Sequence, residues 1–173
     1  IRQVCQNVLE GLIENLNFDL GTIRIYDEQT KMLNLVVSVG LGDEIEKEVH
    51  IESANYLTAR TARTKQPLFV SDINKATESK ERMWKAMEIG VRALIFWPIL
   101  GADQKLLGVV NVASRKEKPL NQEDRGFFAT VADMFATILE RRNSEEQLKE
   151  SQEQFIAFAD NIPGPVFIKD HEW

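Results

Sequence analysis

A single cysteine, Cys5, in 173 residues excludes an internal disulfide and any multi-cysteine metal cluster, which fits a reducing compartment. The two histidines, His50 and His171, lie far apart, and neither has metal-ligand spacing to a partner. Both are expected to be ordinary surface or boundary residues. Basic clusters are equally scarce: the net charge is −6, and Arg141 and Arg142 form only an isolated pair. No electrostatic footprint for nucleic acid or for an anionic membrane surface follows from that. No apolar run approaches the roughly 18 to 20 residues that span a bilayer, and no signal-peptide pattern opens the chain. No membrane insertion is therefore expected in this segment, and the cytoplasm is the expected compartment. There is also no nucleotide-binding glycine loop and no nucleophile that can be set beside a base, so no catalytic residues are expected.

What is present is an apolar fraction of 43%, enough for one domain with some extra length. The stretch GVRALIFWPILGADQKLLGVVNVAS, residues 90–114, reads as an antiparallel hairpin at the centre of a sheet. Strands this apolar need cover on both faces. Apolar residues at steps of three and four from Ile1 to Leu16 predict an amphipathic helix over 1–17. FDLGTIRIYD and KMLNLVVSVG flank the turn-forming residues 27–30 and predict a second hairpin. Residues 41–89 are mixed in pattern, with helices expected over 54–64 and 79–89. This crossing is expected to lie over one face of the sheet as the wall of a pocket. Gly90 suits the left-handed position after the second of those helices.

Asn121 is the expected N-cap of a last helix, with Asp124 three residues on. Its apolar residues form two lines: Phe128, Ala132, Phe135 and Leu139, and Phe127, Val131, Met134 and Ile138. A helix packed only on its own sheet needs one line. The second, extended by heptad steps, passes Arg141, Glu145, Leu148, Gln152 and Phe155, a seam expected to pair with a second copy. A homodimer is expected, with Leu9, Phe127, Val131, Met134, Ile138 and Leu148 at its interface. Ile1 already lies within a helical pattern and Trp173 follows what reads as a new strand, so the chain is expected to be a segment of a longer protein.

Several of these stretches together resemble the GAF domain family. GVRALIFWPI is similar to the family's "GIRS-L-VPI" strand, LLGVVNVAS to its "iGvl-l-s" strand, and TKQPLFVSDI to its "tg-Pl-v-D" stretch. LNQEDRGFFATVADMFATIL resembles the closing "ft-ed--ll--lA-q-a-ai" helix, and ESQEQFIAFADNIPGPVFIKDHEW resembles the opening of a PAS domain. The resemblance implies a GAF domain over 1–142, a signalling linker helix over 143–158 and the start of a truncated PAS domain over 159–173. The implied architecture is a mixed α/β (α+β) fold: a GAF-like central antiparallel sheet of five to six strands, terminal helices on one face and a pocket-forming crossover on the other. The implied role is sensory or regulatory, as the input module of a sensor histidine kinase or of a cyclic-dinucleotide synthase or hydrolase. A module that only dimerises and binds nothing is the alternative.

Candidate ligand residues are Arg24, Tyr26, Tyr56, Asp72, Phe96, Trp97 and Asn111. By strand alternation Thr22, Arg24 and Tyr26 share a face, where a central-strand arginine is costly to bury unless something anionic meets it. Two readings are open: Arg24 holds a ligand carboxylate or phosphate beside Tyr26 and Asn111, or it pairs with Asp72 or an acid of 44–48. Phe96 and Trp97 must point to opposite faces, so one of them faces the crossover. Ser53, Asn55 and Tyr56 stand where the family pattern carries glycines, which disfavours a large bound molecule. No haem, bilin or metal signature is found, the cyclic-nucleotide "NKFDE" set is missing, and the cofactor is left unassigned. Cys5 is expected to be a buried hydrophobe rather than a redox centre, because one thiol cannot form and resolve a disulfide within the chain.

Overall fold

The computed structural model describes residues 1–42, 45–54, 56–76 and 86–160. Internal contacts divide the chain into two units, Ile1–Ile138 and Leu139–Trp173. Within the first, helix α1 (Arg2–Leu16) leads into a hairpin of β1 (Leu20–Asp27) and β2 (Met32–Val39). Then come β3 (Glu48–His50), helix α2 (Leu57–Thr64) and β4 (Leu68–Val70), followed by the long hairpin of β5 (Ala93–Leu100) and β6 (Leu106–Ser114). The last element, α3, is helical over Gln122–Asp160 and so begins in the first unit and ends in the second.

The strands form one six-stranded antiparallel sheet of order β3-β2-β1-β6-β5-β4. The expected strand number, and the central place of the 90–114 hairpin, are both found. β1 and β6 meet closely because Gly108 lies opposite Ile25: a Cβ there would stand 2.3 Å from the Arg24 carbonyl oxygen. Residue alternation then sorts the two faces. Ile23, Ile95 and Val112 lie under the terminal helices. Leu20, Leu33, Leu94, Phe96, Val109 and Ala113 form a core with Leu57, Ala59 and Ala62 of α2 on the crossover side.

The ends of the helices follow local chemistry. α1 stops where Asn17 takes φ 51°, with Phe18 N–H donating back to the Ile13 carbonyl at 2.9 Å. Gly90 takes φ 78°, Gly90 N–H donates to Met87 and Val91 N–H to Ala86, as expected of a glycine closing a helix. α3 opens with a reciprocal cap: Asp124 N–H donates to Asn121 Oδ1 at 2.7 Å, and Asn121 N–H to Asp124 Oδ2 at 3.3 Å. The helix expected over 79–89 falls mostly on residues outside those described, as do Asn55, His171 and the PAS-like stretch from 161 onward.

One expectation is corrected here. Leu9, expected at a dimer interface, is wholly enclosed, its Cδ1 2.9 Å from where a Cβ on Gly21 would sit. The single apolar stripe of α1, with Cys5, Leu9, Leu12 and Leu16, is spent on its own sheet. The two apolar lines of α3 do separate: Phe128, Ala132 and Phe135 are buried, whereas Phe127, Met134 and Ile138 are exposed and Val131 is half-buried.

Candidate functional site

On the crossover face, β1 presents Thr22, Arg24 and Tyr26, and the partner strands bring Asn111 opposite Thr22 and Val109 opposite Arg24. The Thr22 hydroxyl donates to Asn111 Oδ1. Asn111 is half-buried although it lies on a central strand. Phe96 faces the same side and is buried in the crossover core, and Tyr26 and Tyr56 pack half-buried against that core. Tyr56 is the residue on which α2 begins, still extended at φ −113°.

Arg24 is 5% exposed, and its partners are main-chain carbonyls. Nη2 donates to Glu46 O at 2.6 Å, and Nη1 to Lys47 O at 3.3 Å and Leu33 O at 3.4 Å. Its fork therefore closes the link between β2 and β3. Burial pulls the guanidinium below its ordinary pKa, and the charges of Glu46 and Tyr56 push the other way. Of the acids considered in the sequence, Glu46 contributes through its charge and its carbonyl, and Asp72 is engaged elsewhere.

Asp72, expected at the ligand site, is locked to the start of β5. Arg92 grips it bidentately, Nε to Oδ1 at 3.0 Å and Nη2 to Oδ2 at 2.9 Å. Asp72 Oδ1 also accepts from Asn74 N–H at 3.1 Å, and Lys75 bonds Glu117 at 2.9 Å. The arrangement ties the turn Ile73–Lys75 to the strand ends. Hydrogen bonding from Arg92, with that of Asn74 N–H, holds the Asp72 carboxyl at about 2. A depressed folded pKa means stability present above the ordinary carboxylate range and lost as pH falls toward 2. Asp72→Asn is therefore expected to melt lower than the unmodified chain at pH 6 and to narrow that difference between pH 4 and pH 2. Thermal melts across this range check it, and a constant difference would contradict it.

Trp97 is corrected as well. It lies on the helix face, stacked on Phe128 at 5.4 Å and edge-on to Phe69 at 5.7 Å, with Arg125 4.4 Å over the Phe69 ring. Cys5 is buried, and burial raises its thiol pKa, as befits a core residue. His50 Nδ1 accepts from Glu52 N–H at the turn after β3. Among the described residues no group of His, Cys, Asp and Glu is arranged to hold a metal.

Sequence reasoning missed Thr61. Its hydroxyl is buried on α2 and has no hydrogen-bond partner, an exception to the rule that buried polar atoms are paired. Nothing in TARTART distinguishes this threonine from Thr58 or Thr64 before the helix is docked. Asp19 was missed too: it accepts from Arg115 N–H at 2.7 Å and Ser114 Oγ at 3.0 Å, and the Arg115 N–H bond is the main cause of its lowered pKa.

The family model for the GAF domain matches residues 1–140. The chain belongs to the GAF domain family. Among curated proteins this GAF domain is 27% identical over 154 residues to the methyl sulfide methyltransferase-associated sensor of Methanosarcina acetivorans. That match takes in 87% of this chain but spans only 15% of the relative's length. Among solved structures it is similar to a domain of a protein described as a two-component sensor histidine kinase from Sinorhizobium meliloti 1021. The TM-score is 0.70 at 21% identity, covering 86% of this chain and 97% of that one. The blue-light absorbing form of the Thermosynechococcus elongatus PixJ GAF domain gives 0.67 at 16% identity, covering 88% and 92%. Both structural matches are matches of fold. No helix among the described residues is long and apolar enough to cross a membrane.

Proposed function

We propose that this GAF domain is a sensory module that dimerises and passes a small-molecule or conformational signal along α3 to a PAS domain and a distant output domain of the histidine kinase class. The observation that carries the reading is α3 itself, 39 residues long, with an outward apolar line distinct from the line buried in its own core. The relatives named as a sensor and a sensor histidine kinase support it. Any catalytic step belongs to the parent protein beyond these residues. Signalling requires that two arrangements of the dimer bind the ligand differently.

The crossover face favours a small neutral polar ligand over an anion. The Arg24 donors are turned to main-chain carbonyls, whereas the Thr22 and Asn111 pair and the unpartnered Thr61 hydroxyl offer neutral hydrogen-bonding groups. A second reading, a module that dimerises and binds nothing, is favoured by Phe96, buried in one core with Leu57, Ala59 and Ala62 of α2, and by Tyr56, packed against that core.

Thermal-shift screening against neutral polar metabolites, carboxylates and phosphates separates the two. Thr61→Val replaces an unpaired hydroxyl with a methyl of the same shape, so its own stability should stay level or rise by up to about 1 kcal/mol. The sensing reading expects a neutral compound to raise the melting temperature of the unmodified chain, and this gain to shrink in Thr61→Val. A full panel without a shift, in a chain that still dimerises, favours the second reading.

A further inference from the structure

Residues 141–158 of α3 are exposed along their whole length, and Leu148 and Phe155 are 61% and 70% exposed. A polar helix of this kind is marginal in water without a partner. Alternating steps of three and four from the outward apolar line put Arg141, Glu145, Leu148, Gln152 and Phe155 on one seam. Arg141 and Glu145 occupy successive seam positions and are joined within the chain, Nε to Oε1, at 2.9 Å.

Partner choice and register in a two-stranded coil commonly come from ion pairs between the positions flanking the seam. Here one flank carries Arg142 and Lys149, and the facing flank of a second copy carries Ser144 and Ser151. Those flanks hold no acid to answer the two cations. The selecting charges must then lie in the seam itself.

We propose that in the dimer Arg141 of each copy bonds Glu145 of the other, and that this doubled ion pair sets the register of the two helices. The inference rests on the dimer reading above. A two-fold axis makes the pair self-complementary, because each copy offers one cation and one anion a single seam step apart. Slippage by one heptad would set Arg141 against Gln152 and Glu145 against Leu148, leaving charge unmatched at the contact.

The test uses the full chain with R141E and E145R, each alone and in an equimolar mixture, by sedimentation with one variant fluorescently labelled. Each variant alone should dimerise on the order of a hundredfold more weakly, because like charges then face each other. The mixture should recover a heterodimer within about tenfold of the unmodified affinity. Neither chain in that mixture can form an internal 141–145 ion pair, so recovery must come from contacts between copies. Variants that self-associate as tightly as the unmodified chain, or a mixture that stays apart, would overturn the register lock and leave the dimer standing. An unmodified chain that never dimerises would remove both.

Discussion

Replacing Arg24 with methionine is expected to destabilise the GAF domain by about 3 kcal/mol, and to do so with no ligand present. Methionine keeps much of the apolar stem but none of the donors. The carbonyls of Glu46, Lys47 and Leu33 would lose the Arg24 donors, with the 2.6 Å bond to Glu46 the main loss, while Lys47 O keeps the Leu35 N–H at 2.7 Å. A buried acceptor left unmade costs roughly 1 to 3 kcal/mol, and water can re-enter at the half-exposed end. Arg24→Lys should recover part of the loss, since a single ammonium reaches one carbonyl where a fork reaches several. Urea unfolding at constant m-value is the measurement. A variant as stable as the unmodified chain would mean that the guanidinium does not hold the link between β2 and β3. A ligand response lost in Arg24→Met must accordingly be compared with the stability of the empty variant before it is read as a lost contact.

The double substitution Met134→Glu with Ile138→Glu is expected to separate the dimer while leaving the fold intact. The two side chains are 64% and 40% exposed within one chain, so each change should cost that chain less than about 0.5 kcal/mol. In a two-fold dimer each new carboxylate meets its own copy, and dissociation should become easier by on the order of a thousandfold. Circular dichroism should match the unmodified chain while sedimentation shows the separated species. Loss of folding would show that both apolar lines of α3 serve its own sheet, and an unchanged dimer would place the interface elsewhere.

The elements were legible because each carries its own period. Alternation with β-branched residues marked both hairpins, the three-and-four step marked α1 and α3, and Gly90 and Asn121 marked two helix ends. What could not be read were facts about which surface a periodic face meets. The α1 stripe looks the same whether Leu9 meets a sheet or a second copy, and only docking shows that it is spent inward. Phe96 and Trp97, adjacent in a strand, must point apart, but which of them faces α2 depends on the register of β5. The sequence marks Arg24 as a central-strand charge in need of partners, but the carbonyls that satisfy it have no side-chain signature. The Asp72 to Arg92 grip joins residues twenty apart across a crossover whose path local pattern does not specify.

The proposed dimer joins two copies of this domain along the outward line of α3. Sedimentation equilibrium of the unmodified chain over a wide concentration range tests it most directly. Association through α3 requires a species of twice 19.8 kDa that gives way to the single chain on dilution, and a single 19.8 kDa species at every concentration would rule it out.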